Sequence, residues 1–343
     1  MKPFALLMND IHVSKDNIAE FQKNWDEALS ICQGYKIQEI VIGGDLWMSR
    51  SSQNLSTLMA VKDAIKKAKH INITIAAGNH CKVDPERYES YSHIFSEYPY
   101  VDVIDDYAIY DISDTATLYV MSYFPENGSF IERLNGLKED LDSTRFNVLY
   151  IHEGIRGGLA QATEDELPAD IFDDFDSTLV GHYHDRKTIA GTHILYVGAS
   201  RQHNFGEDEE KGYTILYTDG SNEFIKNQVN TRFKTIEVTP ADLKNDKFLE
   251  SLNADKASGK YKVRLRVTCK SNEVSTIDRQ TLQEAGATRI EFVTEETKIA
   301  LTKSQSISNK FDKSGIKSEY RNFCHDKEID NVDMGLQYLD KIR

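Results

Sequence analysis

The stretch Phe4-Ala5-Leu6-Leu7-Met8-Asn9-Asp10-Ile11-His12 decides the fold. A short apolar run ends on a polar cluster, and the chain repeats the device four more times. Residues 39–42 lead into Gly43-Gly44-Asp45 and 71–76 into Gly78-Asn79-His80. Residues 146–150 lead into Ile151-His152-Glu153 and 178–180 into Gly181-His182-Tyr183-His184. Apolar runs of this length, bounded by Gly and Asn, read as buried strands. Each cluster then stands just past the C-terminal end of a strand, where open α/β sheets place their sites.

Between the first clusters the apolar period changes from strand to helix. Residues 16–33 carry Ile18, Phe21, Trp25, Ala28, Leu29 and Cys32 at steps of three and four, and residues 52–69 do likewise with Leu55, Leu58, Met59 and Ile65. Residues 85–97, with Pro85 in the first turn, are expected to form a third helix. Such alternation implies βαβ units. From 101 to 238 strands dominate, with one helix near 130–141, so two packed sheets with helices outside are expected. A boundary is expected near Val238-Thr239-Pro240. Residues 239–300 then form a small α+β unit, with strands at 261–267 and 290–293 and a helix at 277–285. Residues 303–317 are rich in Ser, Lys and Asn and read as a linker. The last helix would carry Ile329, Val332, Leu336 and Leu339 as an apolar stripe.

At 343 residues the chain can hold one large and one smaller domain. No run approaches the ~18 apolar residues of a membrane span. Met1-Lys2-Pro3 enters the first strand at once, so no signal peptide is expected. Cys32, Cys81, Cys269 and Cys324 form no CxxC pair and read as free thiols in a reducing, cytoplasmic compartment. The net charge of −14 is uneven: residues 235–343 hold 19 Lys+Arg against 18 Asp+Glu, and the first 234 residues hold 22 against 37. An acidic domain attracts cations. It argues against a free-standing DNA-binding protein, because phosphate neutralisation dominates DNA affinity.

The clusters supply Asp10, His12, Asp45, Asn79, His152, His182 and His184 as metal-ligand types, a set that suits a pair of divalent ions of hard-to-borderline character. Asp10 and His12 alternate around one residue, so an extended backbone would aim both at one ion, and His182 and His184 repeat the arrangement. Asp45, after a Gly pair, can bridge two ions. Bonds of roughly 2.0–2.2 Å to such donors fit Mn²⁺, Mg²⁺, Fe²⁺ or Zn²⁺, and the lack of Cys disfavours a structural zinc. Each fragment alone has an ordinary reading as a turn or a solvated loop. It is their order, each at a strand end, that gives them weight.

This order resembles the calcineurin-like metallophosphoesterase superfamily, whose pattern runs DxH, GD, GNH, H, GHxH. Within it, Asp45-Leu46-Trp47, Val197-Gly198-Ala199-Ser200, Phe205-Gly206-Glu207 and Lys211-Gly212-Tyr213 are similar to the SbcD-like DNA repair nucleases and their bacteriophage recombination-endonuclease relatives. The resemblance implies a two-sheet αββα metallophosphoesterase sandwich over residues 1–238, a small α+β capping domain over 239–300, and a linker and C-terminal ATPase-binding helix over 301–343. It implies that Asp10, His12, Asp45 and His184 hold one ion, and that Asp45, Asn79, His152 and His182 hold the second. His80 would stand beside the scissile phosphate. The implied cofactor is two Mn²⁺, with Mg²⁺ as the alternative. The implied activity is that of a DNA nuclease subunit, a 3′→5′ double-strand exonuclease and single-strand endonuclease. Its implied partners are a second copy of itself, through the helices at 52–69 and 85–97, and an SbcC-like SMC-family ATPase, in a bacterial or phage-infected cell. The competing readings are a small-molecule phosphodiesterase or phosphatase on the same fold, and a catalytically weak scaffold for the ATPase. Two departures bear on activity. Cys81 replaces the usual acid after GNH, and Met48 stands where an acid is common after GD-x-aromatic.

Overall fold

The computed structural model describes residues 1–159 and 166–294, together with Tyr320 and Cys324. The chain divides between Phe233 and Lys234 into two compact units. The first runs β1 (Pro3–Met8), α1 (Ile18–Tyr35), β2 (Glu39–Ile42), α2 (Leu55–Lys67), β3 (Asn72–Ala76), β4 (Val101–Ile104), β5 (Tyr107–Ser113), β6 (Ala116–Met121), α3 (Phe130–Lys138), β7 (Phe146–His152), β8 (Ser177–Gly181), β9 (Lys187–Thr188), β10 (Ile194–Tyr196), β11 (Gly212–Tyr217) and β12 (Asn222–Lys226). One sheet has the order β12-β11-β1-β2-β3-β4 and the other β5-β6-β7-β8-β10-β9. β1 to β4 pair in parallel, and so do β6, β7, β8 and β10. All five clusters therefore leave their sheets at C-terminal strand ends.

Alternation along the strands assigns the layers. Ala5, Leu7, Val41 and Ala76 face Leu118, Val120, Val148, Tyr150 and Leu179 between the sheets. The intervening residues Leu6, Met8, Ile40, Ile42, Ile73 and Ile75 pack outward on Phe21, Trp25, Ala28, Val61 and Ile65 of α1 and α2. Leu149, Ile151 and Val180 pack outward on Phe130, Leu134 and Leu137 of α3. The result is the expected αββα sandwich. Strands buried on both faces explain why the runs before each cluster are continuously apolar rather than alternating.

The helix expected over residues 85–97 does not form. Only a 3-10 turn, Tyr91–Phe95, is present. Asp84 Oδ1 accepts the Glu86 amide at 3.1 Å and Ser90 Oγ accepts that of Ser92 at 3.3 Å, so two separate caps start short turns in place of one continuous helix. Tertiary contacts fix the rest: Trp47 Nε1 donates to Ser92 Oγ at 3.1 Å, and the Trp47 ring stacks on Phe95.

The second unit contains all but the first two residues of β13 (Arg232–Val238), then α4 (Asp246–Ser258), β14 (Tyr261–Thr268), α5 (Arg279–Ala285) and β15 (Ala287–Val293). Its sheet has the order β13-β14-β15, with β14 and β15 parallel. Leu252, Val263, Leu265, Val267, Leu282 and Ala285 form its core. The expected linker at 303–317 and the stripe Ile329, Val332, Leu336 and Leu339 lie outside the described residues. Among the described residues no helix is long and apolar enough to cross a membrane. All four cysteines are free and buried.

Candidate metal centre

The ends of β1 and β2 stay paired beyond the strands. The Gly43 amide donates to Met8 O at 2.8 Å, Asp10 to Gly44 O at 3.2 Å, and His12 to Asp45 O at 2.9 Å. The loops between these bonds turn sharply. Asp10, His12 and Asp45 have φ of 49°, 48° and 46°, and His182 has 91°. The extended backbone expected at Asp10-Ile11-His12 and at His182 is thus replaced by left-handed turns. Non-glycine residues adopt these at a cost, and they concentrate at functional sites. Gly44 and Gly78 supply space: a Cβ on Gly44 would strike the His152 ring, and one on Gly78 would strike Asp45.

These turns bring most of the expected residues to one place. Asp10, His12 and His184 converge, as do Asp10, Asp45 and His152, and His12, Asp45 and His80. His12 Nε2 lies 3.2 Å from His184 Nε2, 3.5 Å from Asp45 Oδ2 and 3.8 Å from Asp10 Oδ1. His152 Nε2 lies 3.3 Å from Asp45 Oδ2 and 3.8 Å from Asp10 Oδ1. His182 belongs to none of the three groups, although its ring centroid is 5.5 Å from that of His152 and its amide donates to Asp10 Oδ2 at 3.2 Å. Asn79 adjoins through its side-chain amide, 3.0 Å from Asp45 Oδ2.

Burial pushes His12 and His182 down to about 4, so both rings present lone pairs. Burial would raise Asp10 and Asp45. The facing imidazoles overcome it and hold both below the usual carboxylate range. His152 is raised, because Asp45 and Asp10 outweigh its own burial.

A second layer orients these groups, and most of it cannot be read from the sequence. His184 Nδ1 meets Glu207 Oε1 at 2.8 Å, which places the proton there and leaves Nε2 facing the cluster. Glu207 closes the Phe205-Gly206-Glu207 motif, but nothing in the sequence pairs it with His184. Asn9 Nδ2 donates to Asp10 Oδ2 at 2.6 Å, and Tyr150 Oη donates to Asn9. His203 is half-buried: its Nε2 lies 2.7 Å from Asp10 O, and its ring packs on His12 and His184.

The carboxylate missing after His80 has a substitute. His80 Nδ1 lies 2.7 Å from Met48 O, so it carries the proton and leaves Nε2 as the working atom. The His80 amide donates to Asp45 Oδ1 at 2.8 Å. Cys81 is fully buried, and burial pushes its thiol up to about 12, so it stays a neutral packing group.

The cluster fits divalent cations. Asp10 Oδ1 and His152 Nε2 are buried without a hydrogen-bond partner, although each faces complementary groups. Oxygen and nitrogen donors bound at roughly 2.1 Å stand about 3.0–3.4 Å apart around one ion; His12 Nε2 stands 3.2 Å from His184, 3.5 Å from Asp45 and a longer 3.8 Å from Asp10. Residues 5–186 match the family described as Calcineurin-like phosphoesterase. The chain belongs to that family. The match spans every candidate residue, and this family of hydrolases uses divalent metals. Among curated relatives, this phosphoesterase is 24% identical over 203 residues to the SbcD component of nuclease SbcCD from Staphylococcus saprophyticus subsp. saprophyticus, covering 52% of this chain and 54% of that protein. It thus spans about half of that relative's length. It is 27% identical over 222 residues to "Putative phosphoesterase 244L" of Invertebrate iridescent virus 6, covering 62% of this chain and 74% of that protein. Among solved structures, a Pseudomonas putida nuclease MPE matches at 16% identity and a TM-score of 0.28, over 57% of this chain and 72% of that one.

Proposed function

We propose that this phosphoesterase is a two-metal phosphodiesterase that cleaves DNA as the nuclease subunit of an SbcCD-like recombination and repair complex. The observation that carries the reading is the convergence of Asp10, His12, Asp45, His152 and His184, in which Asp10 Oδ1 and His152 Nε2 are buried without a hydrogen-bond partner, with His80 held beside it by Met48 O. Asp10, His12, Asp45 and His184 would hold one ion. Asp45, Asn79, His152 and His182 would hold the other. When bound, two divalent cations, Mn²⁺ or Mg²⁺, neutralise the phosphodiester anion and activate the attacking water. Glu207 keeps the proton on His184 Nδ1, so Nε2 remains a ligand atom. With Nδ1–H held by Met48 O, a doubly protonated His80 would use its Nε2–H either to stabilise charge at the phosphate or to protonate the leaving oxygen.

DNA as substrate is supported by the likeness to the Staphylococcus nuclease component. The partner ATPase belongs to the same reading, as does pairing of two copies through α2, where Leu55 and Met59 are exposed. A small-molecule phosphodiester is the second reading, favoured by the 37 acidic against 22 basic residues in residues 1–234. Purified protein with Mn²⁺, given end-labelled duplex DNA, cyclic nucleotides and bis(p-nitrophenyl) phosphate, separates them. Metal-dependent shortening of the duplex is expected. Turnover of the small diesters alone would favour the second reading, and no turnover of any diester would sink both.

A further inference from the structure

We propose that Arg50 binds the substrate phosphate and that Asn79 controls its release for that task. This deepens the phosphodiesterase reading above and rests on it. Arg50 follows the Asp45 cluster and is exposed. Its loop is fixed on both sides of the side chain. Arg50 O accepts the Tyr91 hydroxyl at 2.9 Å, Ser49 O accepts Gln53 Nε2 at 2.6 Å, and Met48 O takes His80 Nδ1. The guanidinium therefore springs from a rigid base beside the group placed next to the scissile phosphate.

Its partner is the Asn79 amide, which lies between two groups with opposite demands. With its nitrogen donating to Asp45 Oδ2 at 3.0 Å and its oxygen accepting from Arg50 Nη2, both neighbours are satisfied. With the amide reversed, its oxygen faces the carboxylate and its nitrogen faces the guanidinium, and neither contact is a hydrogen bond. A cation beside Asp45 reverses the preference. The amide oxygen is then needed as a ligand, and the NH₂ group left facing Arg50 repels it. A guanidinium released in this way presents a fork of N–H donors that matches phosphate oxygens.

Other cations on the loops around the centre are already committed. Lys82 Nζ donates to Tyr123 O at 2.8 Å and lies over the Phe124 ring. Arg201 donates to Ile11 O at 3.0 Å, and Lys187 Nζ donates to Gly157 O and Gly158 O. Lys211 is held by Asp185 and Asp208. Arg50 alone among these is held by an amide that the metal would claim.

Two calorimetric titrations of the whole chain test the proposal: Mn²⁺ into the metal-free protein, then inorganic phosphate into the Mn²⁺-loaded protein. Arg50→Gln should weaken phosphate binding about 10- to 100-fold, the range for losing a charge-assisted pair. It should leave Mn²⁺ affinity equal or higher, because a competitor for the Asn79 oxygen is gone. Arg50→Lys should recover part of the phosphate affinity. Phosphate binding within about twofold of wild type in Arg50→Gln would overturn the proposal. So would a parallel fall in Mn²⁺ and phosphate affinity, which marks a merely structural role. Wild-type protein that binds Mn²⁺ and phosphate but hydrolyses no diester would instead overturn the phosphodiesterase reading and leave the Arg50 result standing on its own.

Discussion

His80 shows how a missing side chain can be replaced by backbone. The sequence places Cys81 where an acid would orient the histidine, and it casts doubt on His80 for that reason. The structure hands the task to Met48 O, a carbonyl invisible to any reading of side-chain types. His80→Ala should lower kcat by about 10²- to 10⁴-fold while calorimetry still counts two Mn²⁺; loss of a bound ion would make His80 a ligand. Restoring the family's acid should not help. Cys81→Asp buries a carboxylate beside the like charge of Asp45 in a fully buried site, at a cost of about 1–3 kcal/mol. A lower melting temperature and no gain in kcat are expected, and a raised kcat at unchanged melting temperature would contradict this. Asp10, His12, Asp45, His152 and His184 were legible because the donor types stand at strand ends. Their left-handed turns were not, since φ depends on which carbonyl each amide reaches across the β1–β2 gap.

Among elements, β1 to β3, β7 and β8, and helices α1 and α2, were legible because strands buried on both faces give unbroken apolar runs and one-sided helices give steps of three and four. The segment 85–97 misled because Pro85 reads as a helix start, whereas Asp84, Ser90 and the Trp47 contacts decide its shape. α4 was missed: Phe248, Leu249 and Leu252 give it too narrow an apolar side to stand out among Lys, Asp and Asn. α1 also has a fastening that titrates. Glu20 accepts from Asn230 Nδ2 and the Thr231 amide, each at 2.9 Å, and ties α1 to the segment after β12. Its burial opposes ionisation, but Lys23, Thr231 and Asn230 pull its pKa from 4.5 down to about 2. A depressed folded-state value means that the stabilisation is fully present above 4.5 and fades as pH falls toward 2. Glu20→Gln should therefore destabilise the protein at pH 7 by about 1 kcal/mol, after discounting for solvent screening, and have little effect near pH 2. Denaturant melts showing the same loss at both pH values would contradict this.

At the scale of the molecule, charge and partners remain coupled. If the acidic N-terminal unit cleaves DNA as proposed, it needs cations, which bound metal ions would supply locally and a basic partner over a longer footprint. The proposed contact with that partner is the stripe Ile329, Val332, Leu336 and Leu339. Removal of residues 326–343 should spare Mn²⁺-dependent cleavage by the isolated chain and abolish co-purification with an SbcC-like ATPase; full-strength co-purification of the truncated chain would refute that contact. Both expectations presuppose the metal centre, so its occupancy is the most direct test of the whole account. Crystals soaked in Mn²⁺ and measured at the manganese edge should show two anomalous peaks that share the Asp45 carboxylate, one bounded by Asp10, His12 and His184 and the other by Asn79, His152 and His182. A single peak, or none at Asp45, would contradict the two-metal assignment.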